Sequence, residues 1–229
     1  NMTKYALIIP SFENNIGYKM AAVNTFLQHT PKNMDIYFVY GGNQNLCNKT
    51  EINGVSFTDV YVKTPDSIFN VHKKLFSVFK KILKKDYTHV LKIDDDTFLY
   101  NIDTFLDHKI SGDYVGEKII IDDEEATRNI LLHKKNYKVR ESYKGDLPNF
   151  YCSGECVIFS RKALECIVSY KGKEKYAKFG VEDVMIGNIL LSSGFKINPN
   201  KFLNYEHPVK IEKFHNLYNV HYKKDLVLS

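Results

Sequence analysis

The chain has 229 residues, 44 % of them hydrophobic and 14 % aromatic, enough to bury a sizeable core in one domain. A charged fraction of 26 % excludes bulk disorder. The 32 basic and 27 acidic residues give a formal charge of +5, which fits a pyrophosphate-bearing substrate or an anionic membrane surface, but the lysines are too scattered for a nucleic-acid interface.

In chain order, Tyr5 to Pro10 is an apolar run closed by proline and reads as a buried strand. Tyr18 to His29 carries Met20, Ala21, Val23, Phe26 and Leu27 at helical spacing. Asp35 to Tyr40 reads as a second buried strand stopped by Gly41-Gly42, and Val55 to Val62 as a third. Val71 to Lys85 is the clearest helix: Val71, Leu75, Val78, Phe79, Ile82 and Leu83 form one stripe and the lysines take the other face. Thr88 to Ile93 is then a strand that runs directly into Asp94-Asp95-Asp96.

From Ile119 to Asn149 the chain is polar and basic with weak periodicity, and reads as a flap or acceptor loop. Glu155 to Phe159 follows as a strand, Lys162 to Tyr170 and Glu182 to Ser193 as helices. After Gly194 a short strand leads into a tail rich in His and Tyr. Strands alternating with helices imply an α/β domain with a mainly parallel sheet flanked by helices, in which ligands bind at the carboxyl ends of strands.

Cys47, Cys152, Cys156 and Cys166 lack the spacing of a zinc site and read as free buried thiols of a reducing compartment. Met2 reads as the native start, with no signal peptide after it. No apolar run reaches the roughly 18 residues of a membrane span.

Three consecutive carboxylates at a strand end repel one another, and a divalent cation would relieve that cost. Asp94 and Asp96, spaced i, i+2 on an extended segment, point to one side and suit Mg²⁺ or Mn²⁺. A solvated turn is the competing reading. Glu182-Asp183 opens a helix, where acidic residues cap and offset the dipole, but a carboxylate there could also serve as a general base. Tyr151-Cys152-Ser153-Gly154 is either a plain turn or a place where substrate approaches the backbone.

The segments KIDDDTF (Lys92 to Phe98), YCSGECVIFS (Tyr151 to Ser160) and VEDVMIG (Val181 to Gly187), in that order, resemble the β-1,3-galactosyltransferase and Fringe-like glycosyltransferases. Upstream, YKMAAVNTFLQHT, DIYFVYGG and the triplet Asp66, Asn70, Lys74 are similar to further family segments, so the resemblance covers nearly the whole chain. It implies a single A-type glycosyltransferase domain, with residues 1–100 as the nucleotide-sugar half and 101–229 as the acceptor half and metal-binding tail. It also implies a UDP-sugar donor, Mn²⁺ and inversion by single displacement onto a glycan or glycoconjugate acceptor. Asp94 and Asp96 fall on the metal and donor aspartates, Asp183 on the catalytic base, and His207 near a metal-binding histidine, with His215 and His221 competing for that place. Pro10, Ser11 and Phe12, together with Asp94, Asp95 and Asp96, are the expected donor-binding set.

The chain departs from the family in having no anchor helix, few cysteines, no tryptophan, and Glu155 where glycine is usual. These departures suggest a cytoplasmic viral or microbial enzyme, or an excised catalytic domain, rather than a Golgi protein. A metal-dependent phosphoryl-transfer or hydrolytic enzyme and a non-catalytic nucleotide- or sugar-binding module are the alternatives.

Overall fold

The computed structural model describes residues 3–104, 109–122, 147–172, 181–201, 203–207 and 210–222. The apolar runs become strands Tyr5–Pro10 (β1), Met34–Gly42 (β2), Val55–Lys63 (β4) and His89–Ile93 (β5). With Leu46–Ile52 (β3), Tyr114–Ile120 (β7), Phe150–Ser160 (β8) and Ile197–Pro199 (β9), they form an eight-stranded sheet of order β3-β4-β2-β1-β5-β8-β7-β9. Only β3 and β8 run against the other strands of this sheet. The sheet is therefore mainly parallel, as expected.

Alternation along the strands splits the core into two layers. Tyr5, Leu7, Ile9, Leu91 and Ile93 face the helices Ile16–Val23 (α1) and Ile211–His221 (α5), the latter through buried Phe214. Ala6, Ile8 and Val90 face Val71–Ile82 (α2), Arg161–Ser169 (α3) and Glu182–Ser192 (α4). Among the described residues no helix is long and apolar enough to cross a membrane.

Several expected elements are corrected. The helix foreseen over Tyr18 to His29 ends at Val23: the Thr25 backbone leaves the helical region at φ −128° and ψ −113°, its hydroxyl donating to the Ala21 carbonyl at 2.6 Å, and a 3₁₀ turn over Phe26–His29 follows. The polar, exposed β3 is an unforeseen edge strand joined to β4 by an Asn53-Gly54 turn whose residues have φ 52° and 78°, the pair a two-residue I′ hairpin requires. The tail holds α5, which was not foreseen. Of the expected flap, Ile119 and Ile120 belong to β7, and residues 123–146 lie outside the described ones. Cys47 is exposed, not buried, while Cys152 and Cys156 are buried thiols as expected.

Lys74, foreseen on a solvent face, is buried, and so is Lys19, because each meets a carboxylate. Lys19 pairs with Asp59 at 2.7 Å, its ammonium over the rings of Phe38 and Phe57. Lys74, 0 % exposed, pairs with Asp66 at 2.5 Å.

Candidate active site

β1 and β5 lie side by side at the centre of the sheet, and their carboxyl ends release Ser11 and Asp94 next to each other. β8 extends past the end of β5. Between Cys152 and Val157 it also bulges, since β7 spans the same interval with Gly116 to Lys118. The bulge lays Gly154 and Glu155 against the aspartates: the Asp94 amide donates to the Glu155 carbonyl at 3.3 Å and the Thr97 hydroxyl does so at 3.0 Å.

The segment after the aspartates, Phe98–Leu99 (β6), pairs antiparallel with Tyr205–Glu206 (β10) in a separate two-stranded sheet. With Glu206 opposite Phe98, the next residue of the tail, His207, comes up beside Asp96. Its Nε2 lies 2.6 Å from Asp96 Oδ1 and 3.8 Å from Asp94 Oδ2. One ligand atom from each of Asp94, Asp96 and His207 falls within 4.8 Å of the others. Two hard carboxylate oxygens and one imidazole nitrogen at that spacing fit a single Mn²⁺-like cation with positions left open for further oxygens. His215 and His221 are not part of this cluster: both sit on α5, His215 exposed and His221 edge-on to Tyr100.

Asp95 turns the other way. Its Oδ2 accepts from Ser11 Oγ at 2.8 Å and Asn15 Nδ2 at 3.0 Å, which ties the triplet to the end of β1. Burial raises its carboxyl to about 6 against those two bonds, and Asp96 and Asp94 add to the rise. Lys74 Nζ donates to the Ser11 carbonyl at 2.9 Å and lies 4.0 Å over the Phe12 ring. Asp66 accepts from the amides of Gly41 (2.8 Å) and Glu13 (2.9 Å). A Cβ on Gly41 would stand 2.6 Å from the Asp66 backbone, so only glycine allows this approach. A cleft of about 930 Å³ opens here, lined by Gly41, Tyr61 and Asp66.

Lys92 is the hub of the other side. It is 1 % exposed and sends its ammonium to Asp94 Oδ1 (2.6 Å), the Gly154 carbonyl (2.5 Å) and Glu182 Oε1 (3.5 Å). Burial alone would lower its pKa, but Asp94 and Glu182 outweigh burial and raise it. A Cβ on Gly154 would stand 3.1 Å from Lys92 Nζ and 3.2 Å from Glu182 Oε1, so a side chain there would crowd the hub.

Asp183, on the first turn of α4, is packed beside the same glycine and accepts from the Val184 amide at 2.8 Å. Burial and then Glu182 push its carboxyl up to about 7, with Lys92 pulling the other way. A carboxyl titrating there is poised to take a proton near neutral pH. The imidazole of His207 is lowered by burial but raised more by Asp96 and Glu155, to about 10.

The residues that sequence reasoning left without a role are Lys92, Glu155 and Asn15. Lys92 carried a signal: a lysine at a core-facing place in an apolar strand needs buried carboxylates nearby. Replacing it with methionine removes one partner from a largely buried ionic cluster. We expect a loss of about 3 kcal/mol in urea unfolding, the low end for such pairs because Asp94 is 32 % exposed. A loss under about 1 kcal/mol, the worth of an exposed pair, would contradict its place as the hub.

The chain matches the family described as Galactosyltransferase over residues 22–201. Comparison with the curated proteins finds no match.

Proposed function

The chain belongs to the galactosyltransferase family, and from that premise we propose that it is a metal-dependent inverting enzyme moving a hexose from a UDP-sugar to a glycan hydroxyl. The observation that carries the proposal is the meeting of Asp94, Asp96 and His207, drawn from two distant segments, within 4.8 Å of one another. The membership itself supports a glycosyltransferase with a sugar donor and a glycan acceptor.

In this reading Asp94, Asp96 and His207 hold Mn²⁺ or Mg²⁺. The cation supplies positive charge that offsets the charge developing on the leaving diphosphate. The uridine lies across the end of β1, against Pro10, Ser11 and Phe12, and in the cleft of Tyr61 and Asp66. Asp95 holds that strand end in place through Ser11 and Asn15. Asp183 takes the proton of the acceptor hydroxyl. The freed oxygen forms a bond to the anomeric carbon, the bond from that carbon to the β-phosphate oxygen breaks with its electrons, and UDP leaves from the opposite face. Residues 1–100 bind the donor, and 101–229 bind the acceptor and complete the metal site.

A panel of UDP-hexoses, each offered with simple glycoside acceptors, tests the reading. Release of UDP should require both acceptor and Mn²⁺ and stop with EDTA. Release of inorganic phosphate or nucleoside monophosphate would favour a hydrolytic enzyme, and binding without turnover a non-catalytic module.

A further inference from the structure

His207 has two ring nitrogens in different surroundings. Nε2 faces Asp96 and Asp94. Nδ1 is shut off from solvent and lies 2.8 Å from Glu155 Oε1, close but oblique to the line of a hydrogen bond. A sealed ring nitrogen beside a carboxylate oxygen is disfavoured as a bare lone pair and favoured as N–H. With the proton fixed on Nδ1, the lone pair of the neutral ring belongs to Nε2, the atom that faces the two aspartates.

We propose that Glu155 is a positioning residue for the metal site: its carboxylate holds His207 in the tautomer and orientation that make Nε2 a ligand. The inference rests on the metal reading above. Carboxylates that hold a ligating histidine in this way typically raise metal affinity by about one to two powers of ten. The assignment separates cleanly from the backbone role of the same residue. The Asp94 amide and the Thr97 hydroxyl bond to the carbonyl of Glu155, not to its side chain, so a substitution leaves that frame in place. The side chain is presented by the β8 bulge and is 34 % exposed, leaving room for a replacement.

The test is Mn²⁺ binding followed by the free-ion paramagnetic resonance signal, with no donor or acceptor present. Wild type should bind. Glu155→Ala should bind roughly 10- to 100-fold more weakly, and Glu155→Met, which keeps the length but not the acceptor, should match it should the alanine variant not fold. Glu155→Gln, which keeps an oxygen beside Nδ1, should recover most of the affinity. Wild-type affinity in a folded Glu155→Ala or Glu155→Met overturns the proposal. So does Glu155→Gln falling as far as the others, since that would mean charge alone matters. No Mn²⁺ binding by wild type overturns the metal reading and the inference with it.

Discussion

Asp183→Asn lowers kcat by roughly 10²- to 10⁴-fold, the usual worth of a positioned general base, while UDP affinity in Mn²⁺ stays at the wild-type level. Asparagine fills the same space and keeps an oxygen for the Val184 amide, but it cannot take a proton. The wild-type kcat/KM should climb with pH through about 7, because the base works only when ionised and burial with Glu182 lifts Asp183 to that value. The variant should lose this limb. Stability separates loss of the base from misfolding. A carboxyl whose folded pKa lies above its unfolded one destabilises the fold as pH rises from about 4 to about 7. At about pH 8, therefore, Asp183→Asn should leave the melting temperature unchanged or higher. Full turnover by the variant would remove Asp183 from the chemistry.

Asp96→Ala acts on binding and on rate together. It removes one of the three donor atoms, the Asp96 oxygen that lies 2.6 Å from His207 Nε2. A metal site of this kind contributes several kcal/mol to stabilising the leaving group, equivalent to about two or three powers of ten in rate. The metal-dependent part of UDP affinity should vanish, so titrations with Mn²⁺ and with EDTA become the same. This contrast with Asp183→Asn, which spares UDP binding, is what distinguishes a donor-site residue from an acceptor-site base. Equal UDP affinity in wild type and Asp96→Ala would contradict the assignment.

Wherever strands were buried on both faces, the sequence was easy to read. β1, β2 and β5 are continuous apolar runs, and α2 shows its stripe plainly, so the parallel heart of the sheet and the carboxylates at the carboxyl end of β5 could be placed by pattern. The edge strand β3 was hidden by its polar residues, although Asn53-Gly54 between two candidate strands was a usable hairpin signal. The bulge in β8 and the pairing of β6 with β10 are set by contacts between distant segments, and no local pattern encodes them. His207 could therefore be ranked ahead of His215 and His221 by the resemblance while they still competed with it, and it is β10 that brings it beside Asp96. Lys74 was misread for the same reason: a lysine looks solvated in sequence and becomes buried only when a distant carboxylate meets it.

The most direct measurement is a calorimetric titration of UDP into the wild-type protein, first with Mn²⁺ and then with EDTA. The account predicts binding in the micromolar range that depends on the metal. Binding that is the same with EDTA, or absent in both conditions, would contradict a donor site built on Asp94, Asp96 and His207.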